Sequence, residues 1–489
     1  MEKYYSFQNN DINTKISIVL SKIVDEKIYS YIMKELFTYE IGKQLKFINN
    51  LNILPKLNET QLQQNFKNNI RKIISKIKYF IQNPNSDVYK VLSCIYGAFL
   101  GDAIGAFCEF KEPNKNNSRD IFKLTSTVIG GELGQVTDDS EMALSLSYAI
   151  MDNPMKDQLI PDFLYFYYGA WFKTKPLDYG KTTKNALKEF NFVKNNPNLN
   201  NFKDIEKTIF ENNYDSLSNG FLMRKSPFIV WLYYRFYNDI DKAFNKTNND
   251  VNDITDLINL YLKIRSLSEF DNKCTNPNKQ VHVASGFYCL LALMAIKGLN
   301  SKMIIYNISK FCQCPYFQSL QKNDDEKFVS DLILYYLNMF KKKDFDLWNT
   351  FGDMQNKECV YHKMGYYLHA FKLTLYFLYN FDNIKKNHPE KKYKEIMSQI
   401  CDLGGDTDTN CCIVGAVIGP LIGVSNFGKE LNKMIELIPT DRAIYSVAMI
   451  LLFVIYLNKS NKDENLVKND KYFLKQILIM LYGNIELEL

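Results

Sequence analysis

Residues 404–423 read GGDTDTNCCIVGAVIGPLIG. Two patterns overlap in this stretch. Gly415, Gly419 and Gly423 recur every fourth residue, which on a helix places them along one face. Such a bare stripe lets a neighbouring helix approach closely. Immediately before it, Asp406-Thr407-Asp408-Thr409 sets two carboxylates and two hydroxyls beside the Gly404-Gly405 pair. Both patterns recur far upstream. Gly97, Gly101 and Gly105 repeat the four-residue spacing, and Thr137-Asp138-Asp139 follows Gly130, Gly131 and Gly134. Eleven of the chain's 21 glycines fall in these segments, so glycine is concentrated where backbones must come close. The two stripes predict two buried helices packed tightly. If they pack on each other, the two acidic segments meet. Pro420, inside the second stripe, predicts a kink or an end to that helix.

Asp and Ser also serve as helix N-caps, and each acidic segment alone fits a cap or a solvated loop. Together they predict something else. Clustered carboxylates destabilise one another's ionised forms and need a counter-charge. An all-oxygen ligand set suits Mg²⁺, Mn²⁺ or Ca²⁺, not zinc or copper. The expectation from the residues is one or two hard divalent ions held between distant parts of the chain.

Four segments in order resemble the ADP-ribosylglycohydrolase family. Residues 97–110, GAFLGDAIGAFCEF, resemble its opening, and Thr137-Asp138-Asp139-Ser140 its first metal motif. Residues 218–227, SNGFLMRKSP, are similar to its central ligand-binding motif, and residues 404–410 to its second metal motif. The resemblance covers about residues 90–425, and the first 85 or so residues have no recognised counterpart. It implies an all-α fold, a compact orthogonal helical bundle with a dinuclear Mg²⁺ site (Mn²⁺ as the alternative metal). It further implies a hydrolase that cuts ADP-ribose from a protein side chain or a related ADP-ribose compound. Carried over by position, Thr137, Asp138, Asp139, Asp406, Asp408 and Thr409 become metal ligands. Glu109, Asp138 and Asp139 become the catalytic acids. Gly130, Gly131, Gly134, Ser218, Asn219, Gly220 and Met223 become the ligand cleft, with Asn276 where the family often has histidine. Arginine is slightly favoured as the linked side chain; serine, poly(ADP-ribose) and O-acetyl-ADP-ribose are the alternatives. A non-catalytic binding or structural relative is the rival reading.

The residue types suit that chemistry. A glycosidic bond breaks through an oxocarbenium-like state helped by carboxylates and a positioned water, and a metal can orient hydroxyls and activate the water. Arg224 is either a phosphate contact or the ion-pair partner of a buried carboxylate. Asp102 and Tyr96 read as support or core. His282 could compensate for Asn276, although a lone histidine is more often structural.

Composition bounds the rest. Apolar residues make up 46% of the chain, with 34 Phe and 33 Tyr, which marks it as globular. The 60 basic and 54 acidic groups leave a net charge of +6, too diffuse to predict specific nucleic-acid binding. The ten cysteines are unevenly spaced and lack a Cys-x-x-Cys pair, so buried thiols in a reducing compartment are expected. No apolar leader is evident at Met1, the apolar stretches near Val414 and Val447 are too short or too polar-flanked to span a bilayer, and a cytoplasmic or nuclear location is the expectation. Residues 1–85 read as an accessory helical region able to recruit a protein partner. Residues 86–460 read as the catalytic domain, and 461–489 as a C-terminal helical segment. Helices are predicted near 90–107, 139–152, 160–172, 221–238, 281–298, 327–341, 361–380, 409–423 and 440–456.

Overall fold

The computed structural model describes residues 86–115, 135–151, 157–173, 176–188, 202–245, 254–320, 324–386 and 388–428, together with Gln61 and residues 453, 454 and 457. The expectations for residues 1–85 and 461–489, and nearly all of the predicted helix at 440–456, lie outside the described residues. Within them the chain is all-α, with a single antiparallel bridge between Ser218 and Tyr366 in place of any strand.

The helices are α1 (Asp87–Gly105), α2 (Asp138–Met151), α3 (Pro161–Lys173), α4 (Lys181–Leu187), α5 (Phe202–Asn213), α6 (Gly220–Met223), α7 (Ser226–Arg235) and α8 (Tyr237–Asn245). They continue as α9 (Thr255–Asn272), α10 (Lys279–Ile296), α11 (Ser301–Gln313), α12 (Pro315–Leu320), α13 (Asp324–Phe340), α14 (Tyr367–Tyr379), α15 (Lys392–Leu403) and α16 (Thr407–Ile422). The centre is α16, which packs on α1, α2, α6, α10, α14 and α15.

The two glycine stripes do face each other. A Cβ placed on Gly97 would stand 3.1 Å from the carbonyl carbon of Gly415, and one on Gly101 would stand 2.6 Å from that of Cys411. A Cβ on Gly419 would meet the carbonyl carbon of Ser93 at 3.0 Å. The obstacles are backbone atoms, which no rotamer change can move aside. The α1–α16 contact therefore exists because both stripes lack side chains. It brings Asp102 on α1 beside Asp408 on α16. Pro420 lies inside α16 without stopping it at once; the helix ends two residues later at Ile422, before Gly423 with φ +80°.

The predicted helix over 221–238 is three pieces, α6, α7 and α8, interrupted at Arg224-Lys225 and at Phe236. Both interrupting cations turn inward to a buried carboxylate, described below. The predicted helix over 361–380 starts only at Tyr367, because Lys363 (φ +53°) and Gly365 (φ +80°) adopt left-handed backbone. Helices α4, α5, α9, α11, α12 and α15 were not foreseen.

Helices α1 and α10 are long and apolar enough to cross a membrane, but their apolar windows are 94% and 89% buried inside the fold. They are core helices here. All ten cysteines are free thiols, and all but Cys314 are buried.

Candidate active site

Both acidic segments become first turns of helices. Asp138 and Asp139 open α2, and Asp408 lies in the first turn of α16. Helix N-termini carry unsatisfied amides and partial positive charge, which favour carboxylates there. The start of α2 is capped from another helix. Buried Asp102 accepts from the Thr137 amide (3.1 Å) and hydroxyl (2.9 Å), and from the Ser140 amide (3.1 Å) and hydroxyl (2.5 Å). Gly404 and Gly405 make the turn into α16, with φ of +72° and +79°. A Cβ on Gly404 would stand 2.8 Å from the nitrogen of Pro113, so only glycine lets residues 111–113 lie against this turn. The turn in turn fixes the segment carrying Glu109: the Phe110 amide donates to the Gly405 carbonyl at 2.8 Å.

The two segments meet at Asp139. Its Oδ2 accepts from the hydroxyls of Thr137 (3.1 Å) and Thr409 (3.2 Å), one from each segment. Two clusters of carboxylates form around this junction. Single oxygens of Asp102, Asp139 and Asp408 lie within 4.8 Å of one another, as do those of Glu109, Asp178 and Asp408. Asp408 belongs to both clusters. Glu109, Asp178 and Asp408 line a cleft of 290 Å³ together with Asp138, Asp406 and Thr409, while Asp102 and Asp139 are buried and absent from its lining. Ser218, Asn219, Gly220, Met223, Met364 and Gly365 also line it. Asn219 links the two sets, its Nδ2 donating to Asp406 Oδ2 at 2.7 Å and its amide to the Gly365 carbonyl at 2.8 Å.

The electrostatics show what the cluster lacks. Burial pushes the Glu109 carboxyl up to about 9, and the charges of Asp178, Asp406 and Asp138 add to the effect. Asp138, Asp139 and Asp408 are raised well above the usual carboxylate range, first by burial and then by one another and their acidic neighbours. Burial raises Asp178 as well. Asp102 rises only to about 6, because the donors on Thr137 and Ser140 offset part of its burial. Asp139 Oδ1 and Glu109 Oε2 are buried with no hydrogen-bond partner. Orphaned anionic oxygens, all-oxygen donors and mutual repulsion are what a hard dication would relieve. The residues present therefore fit such an ion.

The sequence-predicted residues fall into distinct places. Asp139 and Asp408 sit in the clusters; Asp138 and Asp406 line the cleft; Thr137 and Thr409 reach Asp139 with their hydroxyls. Asp102, expected only as support, is both the cap of α2 and a member of a cluster. Ser218, Asn219, Gly220 and Met223 line the cleft as expected from the motif. Asn276 does not: it is fully buried behind Ser218, donating to that residue's hydroxyl at 3.0 Å and carbonyl at 3.2 Å. Its short amide props the wall and leaves the cleft surface to Ser218. Buried His282 contacts Asn272 at 3.3 Å and is not among the cleft-lining residues. Gly130, Gly131 and Gly134 lie outside the described residues.

Arg224 resolves to the ion-pair alternative. Its Nε and the Nζ of Lys225 bind the Asp271 carboxylate at 3.1 and 2.5 Å, with all three side chains fully buried. Tyr168 donates a third bond to Asp271, at 2.5 Å. Sequence reading missed Asp178. It sits in the loop before α4, in LDYGKTT (177–183), where a single aspartate beside glycine carries no signal of its own.

Comparisons with known proteins bear on the family. A model of the ADP-ribosylglycohydrolase family matches residues 84–452. A protein of Acanthamoeba polyphaga mimivirus, so designated as an ADP-ribosyl glycohydrolase, is 27% identical over 337 residues, 67% of this chain and 86% of its own length. The ADP-ribosyl-[dinitrogen reductase] glycohydrolase of Rhodospirillum rubrum is 27% identical over 108 residues, covering 21% of this chain and 34% of that protein. A solved structure described as an ADP-ribosylglycohydrolase-related protein complex aligns over 74% of this chain and 97% of its own, at 18% identity and a TM-score of 0.42. With the family model spanning most of the chain, including every motif around the cleft, this protein is a member of the ADP-ribosylglycohydrolase family and a glycohydrolase enzyme.

Proposed function

We propose that this enzyme is a divalent-cation-dependent hydrolase that cleaves the glycosidic bond between ADP-ribose and a protein side chain, with Mg²⁺ as its metal. The observation that carries the reading is the pair of carboxylate clusters sharing Asp408, with buried, unpartnered oxygens on Asp139 and Glu109. Two positions for a hard cation follow, one at Asp102, Asp139 and Asp408, the other at Glu109, Asp178 and Asp408. Thr137, Asp138, Asp406 and Thr409 complete the oxygen-rich surround. When bound, such ions orient ribose hydroxyls and make a water a better nucleophile.

The chain's own residues do the rest. Asp102 holds Thr137 and Ser140 and so fixes the direction of Asp138 and Asp139. Asn219 holds Asp406. Glu109 lines the cleft beside Asp178 and Asp408, where its carboxyl can exchange a proton with the departing group or the attacking water; its elevation by burial and acidic neighbours belongs to the metal-free protein. Asp178 faces it. The acid-rich lining of the cleft is compatible with a cationic acceptor, and arginine is the linked side chain proposed first. A cytoplasmic setting is consistent with ten free thiols.

The test is ADP-ribose release from arginine-linked and serine-linked ADP-ribosylated proteins, side by side, in Mg²⁺ and in EDTA. Release from the arginine-linked protein that EDTA abolishes is expected. Release from neither, by protein that still binds Mg²⁺ and ADP-ribose, would sink the hydrolase reading for these linkages.

A further inference from the structure

The cleft is rich in carboxylates and poor in cations. Among its described lining residues are five acids, Glu109, Asp138, Asp178, Asp406 and Asp408, and one base, Lys181. A ligand bearing two phosphates has to enter this surround. Bound dications would neutralise the acidic end, and a positive charge at the other end would favour the phosphates.

Several other cations near this part of the fold are engaged, and Lys181 is the one that lines the cleft among the described residues. Arg224 and Lys225 are spent on Asp271, Lys372 binds Glu358 at 3.1 Å, and Lys111 donates to the Phe107 carbonyl at 2.6 Å. Lys181 is exposed and, among the described residues, makes neither an ion pair nor a side-chain hydrogen bond. Its base is rigid. The Thr182 carbonyl accepts from Asn213 Nδ2 at 2.9 Å, the Thr182 and Ser216 hydroxyls are 2.7 Å apart, and the Lys184 amide donates to the Gly180 carbonyl at 2.9 Å. The same wall faces the motif at 218–223: Thr183 Oγ1 lies 3.8 Å from where a Cβ on Gly220 would stand. Asp178, three residues earlier, belongs to the carboxylate cluster. Residues 178–183 therefore run from the acidic end along the cleft wall to an unpaired ammonium.

We propose that Lys181 is the cationic anchor for the substrate's diphosphate, and so orients ADP-ribose with its ribose toward Asp408 and its phosphates toward α4. The inference rests on the proposed function and adds a binding residue that the family motifs quoted above do not include. A long, flexible ammonium on a fixed loop suits this task, because it can follow the phosphates without moving the wall.

The experiment measures ADP-ribose binding to the full chain by calorimetry in Mg²⁺, at low and high NaCl. Wild type is compared with Lys181→Ala, Lys181→Arg and Lys181→Glu, and steady-state kinetics are run on ADP-ribosylated protein. At low salt Lys181→Ala should weaken binding about 5- to 20-fold, Lys181→Glu should weaken it further, and Lys181→Arg should stay within about twofold. The deficit should shrink at high salt. KM should rise while kcat holds within about twofold, because the lost interaction serves ground and transition states alike. Wild-type affinity in Lys181→Ala and Lys181→Glu at low salt would overturn the anchor alone, as would a fall in kcat at unchanged KM. Failure of wild type to bind ADP-ribose in any salt would overturn the anchor and the functional reading together. Lys181 is exposed, so thermal melting should show all three variants folded.

Discussion

Gly101→Ala adds a single methyl group at the point where α1 and α16 cross. Its Cβ would stand 2.6 Å from the carbonyl carbon of Cys411 and 3.0 Å from the nitrogen of Cys412. Comfortable carbon–carbon contact begins near 3.5 Å, so the helices must part by about 0.9 Å. Both obstacles are backbone, which leaves separation as the only relief. Overpacking costs about 1–3 kcal/mol, and the better helix propensity of alanine returns about 1 kcal/mol at most. Net destabilisation of up to about 2–3 kcal/mol is expected in urea unfolding. The larger effect should fall on the site. Asp102 follows Gly101 directly, and Asp408 lies one turn before Cys411 and Cys412, so the parting opens the Asp102–Asp139–Asp408 cluster. A displacement of about 1 Å in such a site costs on the order of 100-fold in turnover. The assays are urea unfolding and ADP-ribose release on the same preparation. Unchanged stability together with full activity would refute the claim that the glycine stripes set the geometry of the acidic site.

Other perturbations have equally definite outcomes. Asp271→Asn would leave Arg224 and Lys225 buried without their counter-charge and should destabilise by about 3–5 kcal/mol, read from chemical denaturation; a loss under 1 kcal/mol would mean the triad is dispensable. In EDTA, the carboxyls of Asp102, Glu109, Asp138, Asp139 and Asp408 are raised on folding, so the folded chain holds protons that the unfolded chain releases. Their contribution is intact below about pH 4, the unfolded value, and is lost as pH rises through about 6 for Asp102 and about 9 for Glu109. Melting temperature in EDTA should therefore fall from pH 5 to 8.5, and the rise on adding Mg²⁺ should grow over the same range; a Mg²⁺ effect independent of pH would contradict the cluster's reading. Glu109→Gln keeps the shape and removes the titration. It should slow turnover by 100-fold or more with ADP-ribose affinity within a few-fold, and an unchanged rate would remove Glu109 from proton transfer.

Much of this was legible before any coordinates. The four-residue glycine spacing foretold two helices in close contact, because a missing Cβ is the condition for such an approach. The acidic segments beside glycines foretold convergent carboxylates. What the sequence hid depends on tertiary context. Asp178 is one aspartate in a loop, and only the fold brings it to Glu109 and Asp408. Asp102 looked like support because nothing in a linear motif shows that it caps the start of α2 and joins the carboxylate cluster as well. Arg224 and Lys225 read as helical until their pull toward Asp271 separates α6 from α7. Asn276 lay in the right neighbourhood, but its amide bonds to Ser218 and is not among the cleft-lining groups. Helix α15 was legible but not read: Tyr393, Ile396, Met397 and Ile400 recur at helical spacing and form the face that the fold buries.

The central claim is that the buried carboxylates converging at Asp408 hold divalent cations. Calorimetric titration of Mn²⁺ into EDTA-stripped full-length protein at pH 7.5, for wild type and for Asp408→Asn, tests it most directly. Two saturable equivalents in wild type are expected, with both weakened at least tenfold in Asp408→Asn, since that side chain serves both clusters. No saturable binding by folded wild type, or identical isotherms for the two proteins, would contradict the account.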